Sequence, residues 1–222
     1  MNRGKILEAW RRKRSAGQWI SGGRSGPDFI AVSNEDKLDL RGARGIAGLL
    51  PLGDANALSL DCARERLAGA ASPPLLAGVC ATDPLRLMDK FLQEMKAAGV
   101  SGVQNMPSVG LIDGGFRTNL EEANLGYGRE IEMLRLAGTL DLLTAAFVFS
   151  PENARAMAEA GADLVVIHPG PGARGPLKDR MKELEACAAA ARKARKDVLV
   201  LTCGDSGTKP QDIGSLDGIQ IE

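Results

Sequence analysis

Short apolar runs that do not alternate with polar residues constrain this chain most. They span Phe29 to Val32, Leu75 to Val79, Gly102 to Gln104, Leu142 to Phe149, Leu164 to Ile167, Val198 to Leu201 and Gly218 to Ile221. A strand with one wet face alternates, whereas a continuous apolar strand is buried on both faces, as in a parallel sheet covered by helices. Amphipathic stretches lie between the runs. In one of them Leu87, Met88, Phe91, Leu92 and Met95 fall on a single stripe, with Asp89, Lys90 and Glu94 outside it. Two junctions are near copies: Lys96 to Gly99 leads into Val100 to Val103, and Ala158 to Gly161 leads into Ala162 to Val165. A glycine just past a helix end takes the left-handed conformation that turns the chain into the next strand. Ser150-Pro151-Glu152 reads as an N-cap, a first-turn proline and a first-turn acid, which predicts a helix to about Ala160. Thr82-Asp83-Pro84 is expected to open the helix that carries Phe91.

Strand and helix units alternating in this way leave an open doubly wound sheet or a (β/α)8 barrel. About seven or eight strands are countable against five or six full helices. Trp19-Ile20 and Phe29 to Val32 stand too close for a helical crossover, since a parallel connection takes about a dozen residues. The last apolar run ends the sequence, so no closing helix is expected after it. Residues 1–222 read as one domain, long enough to be held by packing alone.

Charge and cysteine usage exclude several function classes. With 28 Lys and Arg against 28 Asp and Glu, the chain carries no diffuse positive field, which argues against a nucleic-acid reader. The run Arg11 to Arg14 reads as the solvated face of a first helix. No apolar stretch approaches the roughly 20 residues of a membrane span and no signal peptide is evident, so a cytoplasmic protein is expected. Cys62, Cys80, Cys187 and Cys203 are too scattered for a zinc cage or a disulfide framework and read as reduced thiols. Cys80 and Cys203, at the ends of apolar runs, read as small buried hydrophobes before they read as nucleophiles.

In both architectures sites gather at the carboxyl ends of the strands. Those loops hold Arg41 to Asn56, Cys80 to Pro84, Asn105 to Asn119 with Asp113 and Arg117, His168, and Thr202 to Gly207 with Gly204. Glu121, Glu122 and Tyr127 are expected together on the helix that follows. Each has a plainer reading: Asp83 as a helix cap, Asp113 as a turn residue, Glu121 and Glu122 as a first-turn acidic pair. His168, the single histidine, stands at a strand end before Pro169-Gly170-Pro171-Gly172, which favours a role in a site. The glycine-rich segments 170–175 and 204–207 could turn N–H groups towards an anion.

The strings Gly48 to Asn56, Leu76 to Pro84, Gly102 to Gly114 and Phe116 to Glu122 together resemble the phosphoenolpyruvate hydrolase-like TIM-barrel family. The likeness continues through Gly126 to Gly128, Glu130 to Arg135 and Ala154 to Asp163. It implies a TIM (β/α)8-type barrel, here shortened by the first crossover helix and the closing C-terminal helix. The family is similar in fold to the phosphoenolpyruvate mutase and phosphonopyruvate hydrolase group, and its members are described as signal-transduction barrels. The chain departs from the family pattern at Ser21 to Gly26, after His168, and beyond the last strand.

The resemblance implies hydrolysis or bond cleavage of a small phospho- or phosphono-keto or enol acid. On that reading Asp83, Asp113, Glu121 or Glu122 would hold Mg²⁺ through oxygen, with Asp83, Asp113 and Glu122 as the ligand set. His168 would be the acid or base, with Asp83, Asp113 and Glu121 as further catalytic groups. Arg117 would neutralise a carboxylate, while Asn56, Gln104, Asn105, Tyr127 and Gly204 would bind the substrate. The competing expectations are a ligand-binding or protein-interaction barrel without turnover and a degenerate gene product. Strand surface left bare by missing helices calls for cover, so a homo-oligomer is expected.

Overall fold

In the computed structural model, residues 2–18, 20–22, 27–38, 47–69, 73–170, 177–204, 208–209 and 212–221 are described. Eight strands form one parallel sheet: β1 (Ile20–Gly22), β2 (Ile30–Val32), β3 (Leu75–Gly78), β4 (Gly102–Gln104), β5 (Leu143–Val148), β6 (Leu164–Ile167), β7 (Leu199–Gly204) and β8 (Gly218–Ile221). Their order is β1-β8-β7-β6-β5-β4-β3-β2, with every pairing parallel. A single parallel bridge, Gly22 to Phe29, brings β1 to β2, so the sheet is a nearly closed TIM-type barrel. The helices are α1 (Arg3–Ser15), α2 (Ala55–Leu67), α3 (Met88–Ala97), α4 (Gly114–Glu122), α5 (Tyr127–Thr139), α6 (Pro151–Glu159) and α7 (Met181–Ala194). No helix among the described residues is long and apolar enough to cross a membrane.

The continuous apolar runs are strands buried on both faces. Inside the barrel, Leu76, Leu143, Phe147, Leu164, Val166 and Leu199 pack together. Alternate residues of the same strands, among them Leu75, Ala77, Val103, Ala146, Val165 and Val200, belong to a second cluster with the helices outside. Helices α3 and α6 carry the expected faces. Phe91, Leu92 and Met95 of α3 are buried while Lys90 and Glu94 are exposed. Ser150 caps α6 by accepting from Asn153 N at 3.2 Å, with Pro151 in the first turn. Gly99 and Gly161 close α3 and α6 at φ +97° and +96°, a conformation that favours glycine.

Between β1 and β2 there is no helix among the described residues, as the spacing predicted. β2 starts where β1 ends, so the connection need not run back along the barrel. Asp28 N donates to Ser21 O at 2.8 Å, and the Asp28 carboxylate accepts from Ser21 N at 3.0 Å. Gly22 is required by close approach, since a Cβ there would lie 2.1 Å from the Phe29 ring. A second gap was not foreseen: no α-helix lies among the described residues between β7 and β8.

Three local expectations change. The α3 helix begins at Met88, so Asp83 does not cap it; Asp83 Oδ1 instead accepts from Leu85 N at 2.8 Å in a turn ahead of the helix. Glu121 and Glu122 stand in the last turn of α4, not in a first turn, and Tyr127 begins a separate helix, α5. The Arg11 to Arg14 run lies on α1, but only Arg12 is exposed. Arg11 pairs with Asp197 at 2.6 Å, Lys13 with Asp28 at 2.5 Å, and Arg14 donates to Val198 O at 3.3 Å. Helix α1 is thus bound across the amino-terminal end of the barrel, where Ile6, Leu7 and Trp10 join the interior cluster. Arg3 forks onto the fully buried Asp163 with two bonds of 2.9 Å. The exposed large apolar side chains are Leu50, Leu52, Leu85, Leu87, Phe116 and Ile221, of which Ile221 alone is on a strand.

Candidate functional site

At the carboxyl end of β3 the first turn of α2 supplies a clamp. Asn56 donates to Cys80 O at 3.1 Å and to Asp83 Oδ2 at 2.9 Å, and accepts from Cys80 N at 2.9 Å. Arg86 forks onto Asp54 at 2.8 and 2.7 Å, bonds Asp83 at 2.8 Å and lies over the Phe91 ring. Burial by itself would raise the Asp83 pKa, but hydrogen bonds from Asn56, Leu85 N and Arg86 outweigh it and hold the carboxyl below its usual value. A cavity of about 430 Å³ opens beside this cluster, lined in part by Leu50, Asp54, Cys80, Thr82 and Arg86. Burial pushes the Cys80 thiol upward, away from a reactive thiolate. Replacing Asn56 by Ala strands the Cys80 N–H and C=O, so the unfolding free energy is expected to fall by roughly 1–3 kcal/mol. Urea denaturation checks this, and an unchanged midpoint would mean that the loop holds itself.

A second network joins β4, β5 and α5. Asn105 accepts from Phe147 N at 2.7 Å and donates to Phe147 O at 3.2 Å and to Glu130 at 2.5 Å. Glu130, fully enclosed, also accepts from Ser108 Oγ at 2.7 Å and Val109 N at 2.8 Å. Burial dominates its ionisation and raises its pKa to about 7 against those three donors. Tyr127 Oη donates to Phe147 O. Burial raises the Tyr127 hydroxyl well above its usual value, so it stays a donor at neutral pH. Arg117 donates to Glu121 at 2.6 Å and to Val109 O at 2.7 Å, and lies over the Tyr127 ring. Glu121 in turn accepts from Tyr127 N at 3.1 Å.

Aromatic rings continue this network to His168 at the end of β6. Tyr127 and Phe149 meet edge to face at 6.4 Å, and His168 packs on Phe149 at 5.3 Å and on Phe147 at 6.0 Å. Gly170 N donates to His168 Nδ1 at 2.9 Å, so the neutral ring carries its proton on Nε2. Asn105, Arg117, Glu121, Tyr127 and His168 therefore belong to one assembly, and Asn56 and Asp83 to another. Gln104, on the last residue of β4, accepts from Gln220 of β8 at 3.2 Å inside the barrel. Gly204 ends β7 against Ile219 and Thr208, leaving no room for a Cβ. The glycine-rich segments 171–175 and 205–207 and the loop 41–46 lie outside the described residues.

The proposed metal ligands do not come together. Asp83 has its oxygens engaged by protein donors, while Asp113 and Glu122 are exposed at opposite ends of α4. Among the described residues no group of three or more His, Cys, Asp or Glu side chains is arranged to hold an ion. These carboxylates do not fit a bound Mg²⁺. The residue that sequence reasoning passed over is Glu130. Its signal was present: Tyr127, Glu130, Leu134 and Ala137 share the buried stripe of α5, so one carboxyl sits in an apolar face.

Comparison with known proteins follows the same lines. The model of the family described as phosphoenolpyruvate hydrolase-like matches residues 18–217. Two proteins of Solanum lycopersicum, ToMV susceptible protein tm-1(GCR26) and ToMV resistance protein Tm-1(GCR237), are each 43% identical over 195 residues, covering 84% of this chain and 26% of theirs. The chain thus spans about a quarter of the length of those relatives. Among solved structures, 2,3-dimethylmalate lyase, a PEP mutase/isocitrate lyase superfamily member, superposes with a TM-score of 0.56 at 11% identity, covering 97% of this chain and 80% of that one. That likeness is one of fold.

Proposed function

Because the chain belongs to the phosphoenolpyruvate hydrolase-like family, we propose that its barrel is an enzyme acting on a small phospho- or phosphono-keto or enol acid, with His168 as acid–base residue. The observation that carries this reading is the fixed orientation of His168. Gly170 N–H occupies Nδ1, and Phe147 and Phe149 hold the ring at the mouth of the barrel. A neutral imidazole so held can pass a proton through Nε2 near neutral pH.

The surrounding residues position this ring. Asn105 and Tyr127 bind the Phe147 backbone, and Glu130 holds Asn105 and the 108–109 turn. Arg117, which already bonds Glu121 and Val109 O, supports the Tyr127 ring and can meet an anion only by sharing its guanidinium. No step is assigned to Asp83, Asp113 or Glu122, whose arrangement offers no common ligand position. The exposed Leu85, Leu87 and Phe116 support the further proposal of self-association.

The test is a thermal melt and turnover assay with phosphoenolpyruvate, phosphonopyruvate, pyruvate and oxaloacetate. Only native-state binding raises the midpoint, by mass action. His168→Ala is expected to lower turnover by roughly 10²- to 10⁴-fold with the fold intact. A midpoint shift without turnover, unaffected by His168→Ala, would support the second reading, a ligand-binding barrel. The engagement of Asp83 and Arg117 with protein partners favours that alternative.

A further inference from the structure

Gln104 and Gln220 stand on β4 and β8, far apart in the strand order, yet their side chains meet, which places both on the barrel axis. Gln104 is the last residue of β4, and Gln220 lies one residue before the end of β8, so the pair closes the barrel interior at its carboxyl end. Both are buried, and Gln220 Nε2 donates to Gln104 Oε1 at 3.2 Å. Gln220 Oε1 has no partner.

The neighbours cannot supply one. By register Gln220 is flanked by Gly22 and Cys203, and Gln104 by Gly78 and Ala145. Apart from one thiol, a weak donor, these positions present no polar side chain. Three other side-chain atoms are similarly unsatisfied, on Arg11, Asn34 and Ser59, and those residues lie on helices or turns outside the strands. Gln220 is the one of the four that faces the barrel axis at the end where barrel sites form. A buried carbonyl oxygen without a donor is an unfavourable arrangement that native folds rarely keep without a reason.

We infer that Gln104 and Gln220 form the floor of the ligand pocket and that Gln220 Oε1 accepts a hydrogen bond from a neutral donor on the ligand, a hydroxyl or an amide N–H. The inference rests on the small-acid reading of the barrel mouth and deepens it. An acceptor oxygen repels a carboxylate or phosphate, so the anionic end of the ligand points away from the floor and its neutral polar group points towards it. The floor then discriminates between compounds that differ only in that donor, because a site built around a hydrogen bond is left with an unpaired group when the donor is missing.

The experiment compares lactate with pyruvate and malate with oxaloacetate, by calorimetric titration and thermal melt, in the whole chain and in Gln220→Met. In the unchanged chain the hydroxyl member of each pair is expected to bind at least tenfold more tightly. Gln220→Met is expected to erase that preference and, without ligand, to melt at or above the unchanged chain, because the unsatisfied oxygen has gone. Equal binding within each pair, or a preference that survives Gln220→Met, overturns the inference and leaves the acid site standing. A lower melting point for unliganded Gln220→Met also overturns it, since the oxygen would then serve the fold through internal water. If none of the four acids moves the unchanged chain, the small-acid reading falls and this inference with it. Should Gln220→Met fail to fold, Gln220→Asn withdraws the amide by one methylene and is expected to give the same loss of preference.

Discussion

Trp10→Ala is expected to lower the unfolding free energy by about 3–5 kcal/mol, the range for removing a large aromatic side chain from a core. Trp10 is buried on α1, packs on Phe29 with ring centroids 5.5 Å apart, and joins the cluster inside the barrel. The floor at the amino-terminal end has no other large side chain from α1 to close over the space, because Ile6 and Leu7 are already engaged. Guanidinium denaturation measures the effect, and Trp10→Phe is expected to recover most of it. A loss below about 1 kcal/mol would place the mutation with surface substitutions and mean that α1 is not part of the cooperative unit.

The second large effect is a dependence of stability on pH through Glu130. In the unfolded chain this carboxyl titrates near 4.5, and in the folded chain its pKa is raised to about 7 by burial. Between those values the folded state holds a proton that the unfolded state has released, so stability falls as pH rises through the window. The gap is equivalent to about 3 kcal/mol at 1.36 kcal/mol per pKa unit, with the loss complete above the folded value. Asp54, Asp83 and Asp197 have lowered values, and the stability they give is lost only on the acid side of this window. Glu130→Gln, which cannot ionise, is expected to flatten the profile between pH 5 and 8 by about that amount. Chemical denaturation at a series of pH values in both chains gives the difference directly. Parallel profiles would show that Glu130 is ionised throughout.

Much of the fold was legible because its signals are local. A strand covered on both faces must be apolar at every position, so β3, β5 and β6 announced themselves, and Gly99, Gly161 and Ser150-Pro151 marked helix ends by conformation and capping. The start of α3 was misread because Asp83-Pro84 carries a valid capping pattern whose oxygens are claimed by Asn56 and Arg86 from elsewhere in the fold. Glu130 was passed over for a related reason: its partners come from β4 and the turn after it, not from α5. His168 and Asn105 could be placed at strand ends by spacing, but only the folded chain shows the aromatic contacts that link them. The separation of Asp83 from Asp113 and Glu122 is a distance in space, to which sequence spacing gives no access.

The ion pairs of α1 also bear on the order in which the chain can be completed. Arg3 and Asp163 are 160 residues apart, and Arg11 and Asp197 are 186 apart. The first helix to leave a ribosome therefore waits for strands made near the end of synthesis before it has a place to dock. Until β6 and β7 exist, Ile6, Leu7 and Trp10 have no barrel floor to enter, and the nascent chain carries them as an uncovered apolar face. A chaperone that shields amino-terminal helices is expected to raise the yield of this protein more than one that acts on the finished barrel.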